Sequence, residues 1–159
     1  MKLLVTAATF TNSKNDLKNI YLTFIRSVIE QSAVVWHSSL TRTNRNDIER
    51  VQKAAVKVIM GKSYTTYKNG LGYLKWDTLD KRREKLCLKF ANQCMKTDKV
   101  KKFFPLENSK HKMKTRKKEK YKIFKQNTKR YQNSAIPFMR RLLNNEYEEK
   151  GKIVEKIHE

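Results

Sequence analysis

Glycine and proline are scarce, at four and two among 159 residues. A multi-stranded β fold needs a turn residue every ~8–12 positions, so this shortage argues against an all-β architecture. Long apolar runs are missing as well. None approaches the ~18–20 residues that cross a bilayer, so no membrane partner is expected. The glycines stand at 61, 70, 72 and 151, too scattered to build a phosphate-cradling loop. His37, His111 and His158 are far apart, and neither HxxxH nor CxxC spacing occurs, which disfavours zinc. The acids are isolated, whereas metal-dependent phosphoryl transfer needs clustered carboxylates. No metal, cofactor or small-molecule substrate is expected, and the chain's own residues point to no enzyme.

Only two cysteines are present, Cys87 and Cys94. On a helix their separation of seven residues is ~10 Å, beyond the ~7 Å that a disulfide spans. They read as small buried hydrophobes, which suits a reducing compartment, nuclear or cytoplasmic. The N-terminal MKLLVTAATF, with its short and Thr-diluted apolar stretch, is a poor secretory signal. Hydrophobic residues make up 38% of the chain, enough for one modest core rather than two.

Positive charge is what the chain has in excess. Lys and Arg number 37 against 15 acids, a net charge of +22. The excess is local: residues 1–80 carry 12 basic and 6 acidic side chains, 81–145 carry 22 and 4, and 146–159 carry 3 and 5. It peaks over 110–130, KHKMKTRKKEKYKIFKQNTKR, where eleven of 21 residues are cationic and only Glu119 opposes them. Such a run repels itself and is expected to be extended or marginally helical when alone. Its cations Lys112, Lys114, Arg116, Lys117, Lys118, Lys120 and Lys122 can neutralise phosphates and release counterions. Tyr121, Phe124 and Tyr131 lie among or beside them and could stack on exposed bases. The same run also reads as a nuclear address of the KTRKKEK type, or as a solvated tract. With lysines outnumbering arginines 27 to 10, point-charge phosphate contacts are favoured over bidentate base reading.

The rest of the chain reads as helices. Leu17, Ile20, Tyr21, Phe24, Ile25, Val28 and Ile29 form one 3.6-period stripe, which predicts a helix from a cap at Asn15 or Asp16 to about Gln31. Asn46 and Glu49 suggest a capping box for a second helix, with stripe Ile48, Val51, Ala55, Val58 and Ile59 and a stop at Gly61. Tyr67, Leu71 and Leu74 suggest a short connector interrupted by Gly70 and Gly72. A third long helix is expected from Asp77 or Thr78 to about Lys96, with Leu79, Leu86, Cys87, Phe90, Ala91, Cys94 and Met95 on one face. Arg82 and Arg83 share that face. They either pack their stems at the core's edge, bridge to acids elsewhere, or point into a groove that receives phosphate. A short helix from Asp98 stops at Pro105, and Ser134 is expected to cap a final helix with Pro137 in its first turn.

Several stretches together resemble a known family: LKNIYLTFIRSVIE (17–30), VWHSSLT (35–41), IERVQKAAVKVIMG (48–61), RREKLCLKFA (82–91), and Arg130-Tyr131 followed by SAIPFM (134–139). They are similar to the region C-terminal to the polymerase palm in reverse transcriptases (RNA-directed DNA polymerases) of non-LTR retrotransposons, the jockey-like LINE elements. The resemblance covers about 16–145, and the ERVQKAA helix after a Trp-containing segment is its most specific part. It implies a thumb-like helical module that helps hold a template–primer duplex. It carries over no catalytic residue, because the family's palm and its aspartates would precede Asp16. Residues 1–11 match nothing in the family; if they stem from a shifted reading frame, their apolar side chains have no designed partner.

The expectation is therefore an all-α bundle of four to five main helices with a basic, partly disordered arm. Residues 1–15 are an unplaced segment, 16–105 a thumb-like bundle, 106–132 the arm and 133–159 a C-terminal helix. The expected function is that of a non-catalytic fragment that binds RNA or DNA phosphate backbones through the seven arm cations, with Arg82 and Arg83 as a second pair. The alternative is a helical interaction module whose arm binds acidic partners or acts as a nuclear address.

Overall fold

The computed structural model describes residues 2–11, 13–106 and 120–157. It is all-α: among the described residues the only extended pairing is an isolated antiparallel bridge between Leu106 and Tyr121. No helix among them is long and apolar enough to cross a membrane. The chain divides into two compact units. One comprises Met1–Ala33 and Leu40–Glu84, the other Val34–Ser39 and Lys85–Glu159. The hydrophobic residues thus build two small cores, where their number suggested one.

In the first unit, α1 (Lys2–Phe10) precedes α2 (Lys14–Ile20), whose start is capped by Ser13 accepting from the Asp16 amide. Leu4 on α1 is fully buried in the same cluster as Leu17, Tyr21, Val56 and Ile59, so the N-terminal segment does have apolar partners here. α2 runs through a π-helical stretch, Tyr21–Arg26, into α3 (Ser27–Glu30). The wide i→i+5 turns consume one extra residue, which rotates everything downstream by about 100°. That narrows the expected stripe: Ile25 and Ile29 stay half-buried, Phe24 and Val28 are exposed at 64% and 68%, and Leu22, Arg26 and Glu30 are half-buried instead.

After α4 (Ala33–Trp36), α5 spans Arg42–Met60, and its cap is Thr41, accepting from the Asn44 amide, rather than Asn46. Gly61 ends it at φ +52°, where a side chain would strain the backbone. α6 (Tyr67–Leu74), capped by Thr66, runs unbroken through both glycines. Gly70 is needed because a Cβ there would sit 2.4 Å from Val56 Cγ1 on α5. The pairing buries Leu74 with Val56 and Met60.

Polar side chains tie these helices together. Gln52, 1% exposed, accepts from the Tyr21 hydroxyl at 3.0 Å and donates to the Tyr67 hydroxyl and the Asp77 carbonyl, each at 3.0 Å. Glu49, one turn earlier, accepts from the Tyr67 hydroxyl. Its other oxygen accepts from the Leu79 amide at 3.1 Å, capping the start of α7 (Leu79–Cys94) from a neighbouring helix. Trp76 stacks on Tyr21 with ring centroids 5.0 Å apart.

The second unit takes the C-terminal part of α7, which contributes Cys87, Ala91 and Cys94 to a core shared with Phe104, Tyr121, Met139 and Leu143. Both thiols are free and buried. α8 (Asp98–Lys101) follows Thr97 without a side-chain cap, and α9 (Lys129–Gln132) is capped by Thr128, which accepts from the Tyr131 amide. α10 (Ala135–Ile157) follows Ser134, whose carbonyl accepts from the Phe138 amide while its hydroxyl donates to the Tyr131 carbonyl. His37 is buried edge-on to the Phe138 ring, with centroids 5.5 Å apart.

Candidate nucleic-acid interface

The Leu106–Tyr121 bridge brings the described residues on either side of 107–119 together. The Lys122 amide donates to the Pro105 carbonyl at 2.9 Å. The Tyr121 backbone is gripped by Asn144 on α10, which accepts from its amide at 2.9 Å and donates to its carbonyl at 3.0 Å. Segment 107–120 therefore begins and ends at one point on the second unit. Lys112, Lys114, Arg116, Lys117 and Lys118 lie outside the described residues.

Lys120 and Lys122 are exposed at this junction. Lys120 Nζ lies 5.1 Å from the Tyr147 ring centre and 5.8 Å from that of Tyr121. Lys122 Nζ lies 5.5 Å from the Phe124 ring centre. The opposing cation on Phe124 is Arg140, whose guanidinium carbon is 4.6 Å from the ring centre and whose Nε donates to the Phe103 carbonyl at 2.9 Å. Burial lowers the Arg140 pKa, but an arginine keeps its proton. Such contacts hold an ammonium near a ring face without discharging it, so both lysines still present positive charge. Tyr121 itself is 8% exposed and belongs to the core, which removes it from the rings offered for stacking. Phe124, Tyr131 and Tyr147 remain exposed.

Arg82 and Arg83 take the bridging role. Arg82 pairs with Glu30, which the π-helical rotation brings inward. Arg83 is fully buried, its Nη2 3.4 Å from Asp80 Oδ1, and Arg45 approaches the same carboxylate at 3.3 Å. Desolvation lowers the Arg83 pKa, and Asp80 and Glu49 work against that shift. A guanidinium with no exposed surface cannot meet an external phosphate, so Arg83 is withdrawn as a contact, and Arg82's charge is answered within the chain.

One feature of the second unit escaped the sequence reading. An open cavity of about 420 Å³ lies beside the junction, with Phe104, Pro105, Leu106 and Tyr121 among its lining residues. Lys101, Lys102 and Lys120 also line it. The signal was present as two lysines running directly into Phe103-Phe104-Pro105, but only the fold brings Tyr121 and Lys120 to the same place. Among the described residues, no three His, Cys, Asp or Glu side chains converge as a metal site would require. No family model matches this chain, and comparisons with curated proteins and with solved structures return no match.

Proposed function

We propose that the chain is a nucleic-acid-binding helical module that grips phosphate backbones through its second unit and makes no bonds of its own. The observation that carries this reading is where the charge sits. The second unit holds 22 basic and 8 acidic residues, net +14, and its Lys120 and Lys122 stand exposed beside the Leu106–Tyr121 bridge. Concentrated charge of one sign on one part of a protein is an electrostatic footprint for polyanions. In the first unit, by contrast, Asp80, Glu30 and Asp47 answer Arg45, Arg83, Arg82 and Arg50 internally. Those carboxylates serve the fold, and no catalytic role is assigned to them. The lysine-rich surface favours backbone contact over base-specific readout. The resemblance to the region after the palm in non-LTR reverse transcriptases is consistent with such a role, holding a duplex for chemistry performed elsewhere.

The test is a titration of labelled RNA and DNA duplexes at two salt concentrations. Six to ten phosphate contacts imply an affinity loss of ~10³–10⁵ between 50 and 200 mM salt. A flat salt response, or no binding at low salt, refutes the proposal.

A further inference from the structure

We infer that the cavity beside the Leu106–Tyr121 bridge receives an unpaired nucleobase, with the flanking phosphates held by the lysines around it. The inference rests on the nucleic-acid reading above and adds a specific ligand: single-stranded rather than duplex nucleic acid. The volume, about 420 Å³, falls within the ~300–1,000 Å³ of small-molecule sites. Its inner end is closed by Phe104 and Tyr121, which at 3% and 8% exposed belong to the second core and offer no ring face for stacking. Pro105 and the exposed Leu106 supply the apolar wall that solvent reaches. An apolar group is therefore what the interior suits.

The surrounding charge selects among apolar groups. Three cations, Lys101, Lys102 and Lys120, meet a single acid, Asp98, in the lining. An apolar ring joined to anions on both sides matches that arrangement, and a nucleotide within a strand is such a group. Stacked duplex bases cannot enter a concave site, whereas bases in single strands can be splayed out and seated in one.

Fluorescence anisotropy on the full chain tests this, using a single-stranded oligonucleotide and its abasic counterpart of equal length and charge. The base-bearing strand should bind about tenfold more tightly, the gain expected from taking roughly 50 Å² of a base's apolar surface out of water. Leu106→Glu places a carboxylate at the mouth and should bring that ratio to one. Lys125→Ala makes the same change of charge at an exposed position outside the cavity lining and should weaken both strands while keeping the ratio. Continued protection of Cys87 and Cys94 from a thiol reagent verifies that each variant's second unit is folded. Equal affinity for the two strands overturns the base pocket while leaving backbone binding intact; failure of both strands to bind overturns the functional reading itself. Displacement of the base-bearing strand by an acidic Phe-containing peptide, but not by an unlabelled oligonucleotide, would reassign the cavity to a protein partner and refute the inference.

Discussion

Gln52→Leu should be among the most damaging single changes in the first unit, although it keeps side-chain size and raises hydrophobicity. Gln52 is 1% exposed and makes three hydrogen bonds, to the Tyr21 hydroxyl, the Tyr67 hydroxyl and the Asp77 carbonyl. Leucine offers no partner to any of them. Tyr67 keeps Glu49 as its acceptor, so its loss is small. Tyr21, fully buried, loses the acceptor of its hydroxyl, and the Asp77 carbonyl loses a donor. A buried polar group stripped of its partner costs ~1–3 kcal/mol, and Tyr21 carries nearly all of it because Asp77 is exposed. With a urea slope of ~2 kcal/mol per molar, the unfolding midpoint should fall by roughly 0.5–1.5 M.

The assay is urea unfolding followed by Trp76, which stacks on Tyr21, in a Trp36→Phe background, since Trp36 belongs to the other unit. Adding Tyr21→Phe to Gln52→Leu removes the stranded hydroxyl and should recover ~1–2 kcal/mol, because replacing both partners with apolar groups is far milder than removing one. A Gln52→Leu chain within ~0.5 kcal/mol of the parent, or strictly additive effects of the two substitutions, would show that this network does not hold the unit together.

The two glycines of α6 should respond in opposite directions. Gly70→Ala forces a methyl to within 2.4 Å of Val56 Cγ1 and should destabilise by ~1–3 kcal/mol. Gly72→Ala meets nothing within 4 Å and should stabilise by ~0.5–1 kcal/mol through helix propensity. Thermal melts of both variants check the pair, and a shift of the same sign for each would contradict the α5–α6 packing. Alkaline pH gives a further test. Burial is the main cause that raises the Tyr21 pKa, with Glu30 and Glu49 adding to the effect. The folded phenol therefore keeps its proton where the unfolded one, at pKa ~10, loses it. The stability this confers is complete below pH ~10 and declines above it, by up to ~1.4 kcal/mol per pH unit. The stability difference between the parent and Tyr21→Phe should shrink from pH 8 to pH 11; a constant difference would mean the hydroxyl is solvated.

Helix type and the main apolar faces were legible in the sequence because a 3.6-residue period is a local property. On α7, Leu79, Cys87, Ala91 and Cys94 are buried as their spacing implied, while Phe90 on the same expected face is 44% exposed; Gly61 ends α5. The cap of α5 was misplaced because Thr41 and Asn46 are both competent, and only the docked helix distinguishes them. The π-helical stretch could not be read from apolar spacing either. It is a one-residue shift in backbone hydrogen bonding, and it trades Phe24 and Val28 for Leu22, Arg26 and Glu30.

Charge distribution is additive along a chain, so the sequence alone determined that cationic excess gathers between residues 81 and 145. What those charges face is decided by tertiary structure, because a charge's partners are set by distance in space. Folding turned Arg83 inward to Asp80 and Arg82 to Glu30, moved Tyr121 from the basic run into a core, and paired it with Leu106 beside an open cavity. Neighbours far apart along the chain met only once the helices packed, and a local pattern holds no information about them.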